Sequence, residues 1–413
     1  MLVGNLISHK VSYFIVLAAC ILVVLGDLRG LITPAGYWLV WGAITVVGII
    51  SWCFRGNLSV SREMYGYGIG FLLLLSSFML SALSNLSLNT MYQGFKIILI
   101  FICFVCIFVH SHNLKAKDIY SISVTSIVVG FLCYVFSRFM FPEFHVSFGD
   151  GRQGSRFALP GVLWKTCAFF VGFVFVGIVF DSKSKFFGVA VICMAVYLLV
   201  MDSSRTGFVV FLFVCLLVFF MVLYFSPVIA VSLFLALAFV FGLSVLINTE
   251  FYNFIGGDNV VILERLAAGD PVRAEMIDIG ISHIFECLPF GCGFGSAVIP
   301  FNGTTMVVHN AYISSAGDIG LLGFLSIVYI LLCPFIVFFI RMFKKPLKQK
   351  KLFCYVVVAL AGCLGYAFLL MLHPFSTELS EWGIWIVMVS ASSSLTKIKT
   401  SFESVSLLKR IEH

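Results

Sequence analysis

Charge is scarce in this sequence. Only 11% of its 413 residues are Asp, Glu, Lys or Arg, against about a quarter in a water-soluble chain. With 61% hydrophobic residues there are too few polar side chains to cover two or three soluble domains, so the chain is not an ordinary globular protein. Acids are scarcer than bases, 19 against 26, which leaves a net charge of +7. Such a balance could suit nucleic acid, but the basic residues sit in short segments between apolar runs, where their work is to set membrane topology. No internal repeat, nucleotide-binding domain or low-complexity tract is present. Nor is there a cluster with metal-ligand spacing: Cys103-x-x-Cys106 lies in an apolar run without a partner pair. No metal and no cofactor is therefore expected. Most of the thirteen cysteines fall in apolar runs and act as small apolar side chains. Cys287 and Cys292 share one loop and could pair.

Long apolar runs are abundant. A spanning helix needs roughly 20 apolar residues, and about twelve candidate spans follow, near 12–26, 32–54, 65–84, 94–109, 119–141, 161–180, 185–201, 206–225, 227–247, 310–340, 352–372 and 382–396. The expected fold is all-α: a polytopic membrane protein, residues 1–413 forming one integral membrane domain. Its single long loop, 248–309, contains an amphipathic helix. The first run lacks a small-residue cleavage site and reads as an anchor. The 310–340 run is too long for one straight crossing, so it should tilt or project.

With the N-terminus inside, alternating loops place 17 of the 26 basic residues on the inner side. The positive-inside rule then gives two cytoplasmic termini. The nine outer bases differ in kind: seven are arginines (Arg29, Arg138, Arg152, Arg156, Arg205, Arg265, Arg273) and two are lysines, Lys96 and Lys165. Inside, thirteen lysines face four arginines. Topology needs only charge, whereas a planar guanidinium fork also grips phosphate bidentately. Arginines, like Lys96 and Lys165, can also lie at span ends simply because they snorkel.

Three outer segments hold candidate chemistry. Asp202-Ser203-Ser204-Arg205-Thr206 opens an inward-running helix, so a serine cap, free amides and Arg205 form an anion site. Pro271 starts a helix expected to reach about Cys287. Its wheel puts Glu275, Asp278, Ser282 and Glu286 on one face and Ile277, Gly280, Ile281, Ile284 and Leu288 on the other, with Arg273 in the apolar middle. A cation aimed inward needs an anionic partner, either a ligand or a protein acid such as Asp202 or Asp318. Arg265 precedes this helix. The third segment is His309-Asn310-Ala311-Tyr312, where His309 is the candidate base at an outer helix start. Asp318, an acid within a span, is a functional candidate or the partner of an arginine. Arg152 and Arg156 share the 142–160 loop, within reach of a sugar or a diphosphate. His373, Glu378 and Glu381 either line a groove or belong to a solvated loop. His110 and His112 fall on the inner side.

Pro289-Phe290-Gly291-Cys292-Gly293-Phe294-Gly295, followed by His309-Asn310 nine residues before Gly320-x-x-Gly323, resembles the signature of the O-antigen ligase and O-antigen polymerase superfamily. Ser204-Arg205-Thr206 and Pro271-Val272-Arg273 fall where that superfamily has its other arginines. The likeness is detailed over about 200–340 and elsewhere rests on span count. It implies a metal-independent membrane glycosyltransferase of the GT-C type in the bacterial inner membrane, working at the periplasmic face in lipopolysaccharide biosynthesis. The donor would be a glycan on undecaprenyl diphosphate. His309 would be general base, and Arg205 and Arg273, with Arg265, would hold the diphosphate. Arg152, Arg156, Asn310, Tyr312 and Asp318 would contact donor or acceptor. The acceptor is lipid A-core for a ligase, the reading the spacing favours, or a second lipid-linked repeat for a polymerase. Different-class alternatives are a lipid-linked oligosaccharide transporter, which predicts charge near the midplane, and a membrane scaffold.

Overall fold

The computed structural model describes residues 2–54, 61–148, 151–180, 185–225, 271–301, 304–344 and 349–411, with scattered positions between 227 and 242. Helix dominates because a bilayer core offers no water to peptide groups, so each must be satisfied within its own segment. In order, the elements are α1 (Leu2–Val24), α2 (Arg29–Cys53), α3 (Arg62–Ser84), α4 (Leu88–Ser111) and α5 (Ala116–Phe139), then strands β1 (His145–Ser147) and β2 (Gln153–Ser155). There follow α6 (Leu163–Phe180), α7 (Lys185–Asp202), α8 (Arg205–Phe225), α9 (Pro271–Cys287), β3 (Val298–Phe301), β4 (Thr304–Val307), α10 (Ala311–Lys344), α11 (Lys350–Leu370) and α12 (Leu379–Ile411). Among the described residues, nine helices are long and apolar enough to cross a membrane: α2 to α8, α10 and α11. The chain is a helical, polytopic membrane protein. Helices α1 and α12 pack with the nine, against α4 and against each other. The expected span at 227–247 falls largely outside the described residues.

Hydrogen bonds between distant turns sort them into two ends. At one, which we call the loop end, Leu159 N donates to Asp27 (2.8 Å), Asn85 Nδ2 to Gly291 O (2.8 Å) and Phe375 N to Ser314 Oγ (3.0 Å). At the other, the His9 ring meets Asp118 (3.0 Å) and His110 sits between Ser12 and the Gly48 carbonyl, which accepts from Nε2 at 2.9 Å. Glu63 and Arg341 pair there as well. His110 and His112 thus lie away from the loop end, as the loop alternation requires. Between the ends runs an aromatic core in which Phe104 packs on Tyr67, Phe108 and Trp385 with ring centroids 5.1–5.4 Å apart.

Helix α10 is not one straight rod: Gly320 breaks it at φ 79° and ψ −179°. A side chain is disfavoured in that left-handed region, so glycine supplies the break. The released carbonyls find donors. Ser77 and Ser81 of α3 donate to Ile319 O (2.5 Å) and Asp318 O (2.8 Å), and Cys292 N and Gly293 N reach Gly317 O and Asp318 O, both at 2.9 Å. Irregular backbone at this depth is tolerated because protein, not lipid, satisfies it.

Two antiparallel hairpins depart from the expected all-α fold, β1 with β2 and β3 with β4. The second was legible: in Val298-Ile299-Pro300-Phe301-Asn302-Gly303-Thr304-Thr305-Met306-Val307, an Asn-Gly pair lies between segments rich in β-branched residues, a strong hairpin signal. Ile299 and Val308 join Met276 and Ala297 in a small separate core beneath α9.

Candidate functional site

Helix α8 begins as its residue types dictate. Ser203 adopts φ 51° and its hydroxyl donates to Val200 O, while Ser204 Oγ accepts from Gly207 N (3.3 Å) and caps the helix. Arg205 is therefore the first helical residue, half-buried at the loop end. Asp202, next to it in the chain, is fully buried and does not wait for an arginine. Its two oxygens accept from Gly161 N (2.9 Å) and Trp164 N (2.8 Å) at the start of α6. Arg152 reaches the same corner, since its guanidinium lies 3.3 Å from where a Cβ on Gly161 would stand and its charge acts on Asp202. The structure thus brings Arg152 and the Asp202–Arg205 turn together. Arg156 is exposed at the end of the hairpin.

Helix α10 starts with Asn310, whose Oδ1 accepts from Tyr312 N and Ile313 N, both at 3.1 Å. That oxygen is committed to capping, which is its structural job. His309 precedes it, half-buried, with Nδ1 2.8 Å from Val307 O. A carbonyl only accepts, so Nδ1 carries the proton. In the neutral ring, Nε2 is then left with the lone pair. Tyr312 is half-buried and donates its hydroxyl to Ala367 O of α11 (2.9 Å).

Helix α9 spans Pro271–Cys287, the limits its sequence predicts. Its buried face is turned by about one position from the expected one. Met276, Gly280 and Cys287 are buried, while Ile277 (40%), Ile281 (43%) and Leu288 are exposed. The cause is close packing: a Cβ on Gly280 would lie 2.6 Å from Ile313, so glycine rather than isoleucine faces α10. The Arg273 side chain and all of Arg265 lie outside the described residues.

Asp318 proves to be a scaffold. Its carboxylate accepts from Gly295 N (3.0 Å), Ser296 Oγ (3.0 Å) and Ala297 N (2.9 Å), at 2% exposure. His283 Nε2 lies 3.1 Å from the same serine oxygen. Because the serine proton is committed to Asp318, this His–Ser–Asp chain holds the loop rather than generating a nucleophile. Cys287 and Cys292 form a disulfide at the loop's entrance. Together with His283 they are also the one trio of metal-ligand type found among the described residues. Of the three glycines in Pro289–Gly295, Gly291 is the one needed for contact with α10, since its Cβ would stand 2.5 Å from Asp318 O.

Lys96, Lys165 and Arg138, which their places near span ends would let snorkel, instead meet partners inside the protein. Lys96 pairs with Glu378 and Lys165 with Glu381, although both lysines are largely buried. Arg138 donates to Tyr134 Oη (2.8 Å) and Gln153 Oε1 (2.7 Å), fastening the first hairpin to α5. Charges leaving water require such partners. Glu378 and Glu381 are thus not members of a solvated loop.

One wall is common to these features. On α11, a Cβ at Gly365 would lie 3.1 Å from Val210 of α8, and Ala367 accepts from Tyr312 of α10. The starts of α8 and α10, carrying Arg205 and His309, therefore flank the same stretch of α11. Above it, at the end of α11, opens a cavity of about 130 Å³ lined by Arg29, Tyr366, His373, Ser376, Glu381 and Trp382, among others. Sequence reasoning named His373 and Glu381 as a groove or a solvated loop and missed Arg29 as their neighbour, because residue 29 meets 373 only through tertiary packing. Compared with known proteins, the chain matches no family model and no curated protein sequence.

Proposed function

We propose that this chain is a glycosyltransferase of the inner membrane in bacteria, moving a glycan from undecaprenyl diphosphate at its loop end, taken as the periplasmic face. His309 acts as general base. Its Nε2 takes the proton of an acceptor hydroxyl, the oxygen attacks the anomeric carbon, and the bond to the diphosphate breaks. The lipid diphosphate leaves with its electron pair while Arg205 and, as the resemblance implies, Arg273 and Arg265 steady the growing negative charge. The protonated ring then returns its proton to solvent. Asn310 and Tyr312 hold the start of α10 so that His309 keeps its orientation. Arg152 shares the Arg205 corner and is the candidate for a donor phosphate or sugar oxygen, and exposed Arg156 for a more distant one.

The observation that carries this reading is the fixed tautomer of His309, with Nδ1 tied to Val307 O and Nε2 available. A base at a helix start, flanking α11 opposite an arginine-bearing helix start, suits departure of a diphosphate. The favoured acceptor is lipid A-core, which makes the chain an O-antigen ligase. The short stretch from Arg273 to His309 favours the second reading, a polymerase that uses a lipid-linked repeat.

The test is reconstitution with an undecaprenyl-diphosphate glycan, offering lipid A-core and a second lipid-linked repeat in separate reactions. Transfer to lipid A-core alone is the expected result, and transfer to the repeat alone selects the polymerase. Absence of product with both, from protein that still binds the donor, ends the transferase reading.

A further inference from the structure

The cavity at the end of α11 has a lining that phosphate chemistry does not explain. Arg29, whose guanidinium also lies 3.6 Å from Asp27, and Glu381 both line it, with side-chain exposures of 38% and 24%. The half-buried His373 and Ser376 add groups of mixed character. Lys165, behind the wall, holds both oxygens of Glu381 at 2.7 and 2.6 Å and fixes the carboxylate in place. The remaining wall is apolar and aromatic, with Leu370, Pro374, Phe375, Tyr366 and Trp382. An ionised phosphodiester only accepts hydrogen bonds, and Glu381 would repel it. A pyranose hydroxyl both donates and accepts, so each can bridge a carboxylate and a guanidinium or imidazole. Concave sites with apolar walls and a few converging polar groups are the usual form of small-molecule sites.

We propose that this cavity is a carbohydrate subsite that seats one neutral sugar unit, with its hydroxyls between Glu381 and the Arg29–His373 pair and its carbon skeleton against Trp382 and Phe375. It is joined to the start of α10: Phe375, in its wall, donates its amide to Ser314 Oγ, and Ser314 N donates to Asn310 O, next to His309. The subsite therefore selects and aligns a glycan beside the base without contributing a reacting group. Its place in a transfer reaction rests on the glycosyltransferase reading, but binding does not.

The full chain in nanodiscs is titrated with dephosphorylated core oligosaccharide and with O-glycan repeats released from lipid. Contact is read by saturation transfer to the sugar C–H protons, with inorganic phosphate as competitor. The wild type should saturate at least one oligosaccharide, phosphate should not displace it, and Arg29→Ala and His373→Ala should each weaken binding about tenfold or more. No transfer to either sugar from wild-type protein, displacement by phosphate, or unchanged affinity in both variants overturns the subsite. Kinetics separate the two claims. Sugar binding without any glycan transfer sinks the transferase and keeps the subsite. Normal transfer, with unaltered KM, by both variants does the reverse.

Discussion

Lys165 Nζ lies 2.7 and 2.6 Å from the two carboxylate oxygens of Glu381, a residue 216 positions later in the chain. This pair ties the start of α6 to the start of α12, and the Lys96–Glu378 pair ties α4 to the same turn. Removing one partner leaves a charge with little access to water, a loss of about 3 kcal/mol for buried pairs. Lys165→Met should therefore lower thermal stability markedly, and Lys165→Met with Glu381→Leu should recover part of it. A double-mutant cycle of melting in detergent measures the coupling. A single variant as stable as wild type would show the pair to be incidental.

His309→Ala should insert and fold normally yet lose transfer by about 10²–10⁴, the usual contribution of a positioned base. Only a capless loop residue is removed, so membrane abundance and melting should not change. Rates from matched amounts of reconstituted protein provide the check. A variant that transfers at the wild-type rate removes His309 from the mechanism.

Gly320→Ala places a Cβ 2.3 Å from Pro289 O, at a φ that disfavours any side chain. The loop 288–297 should lift from α10, and limited proteolysis should cut it sooner than in wild type. Gly295→Ala, where no atom lies within 4 Å of the added Cβ, is the milder control, with only its φ of 83° to disturb. Equal protease resistance in Gly320→Ala and wild type would refute the close approach.

The Cys287–Cys292 disulfide predicts that neither thiol reacts with a maleimide until a reductant is added. Mass spectrometry of peptides from the two states distinguishes the outcomes directly. Labelling of both residues without reductant would show that the pair does not form.

The His145 ring lies 6.2 Å from that of Tyr134, and burial followed by the Arg138 charge pushes its pKa below the ordinary 6.5. The folded hairpin thus binds this proton less readily than the unfolded chain. The neutral-histidine contribution is present above 6.5 and is lost as pH falls below it. His145→Gln should flatten the decline in melting temperature between pH 7 and pH 5. An identical decline in both proteins would assign the acid sensitivity elsewhere.

Much of this architecture is written locally. The apolar runs predict the nine described helices that are long and apolar enough to cross a membrane, and Pro271 and Cys287 bound α9 as expected. Gly320 interrupts the one run too long to be straight. Each follows from short-range rules of hydropathy, proline and glycine. The site was legible only as a set of residue types. His309, Asn310 and Arg205 stand at helix starts as read, whereas Asp202 and Asp318, two possible partners for an arginine, give their oxygens to backbone amides.

The sequence by itself determined that the chain lives among lipid, because hydropathy is a sum over neighbours and needs no long-range contact. It likewise marked which ends of the helices carry arginine and histidine. Only the tertiary structure decided which face of α9 is buried, which acids meet Lys96 and Lys165, and that Arg29 shares a cavity with His373. Those outcomes depend on close approach between segments up to hundreds of residues apart, where the fit of a glycine against a neighbouring side chain outweighs any local preference.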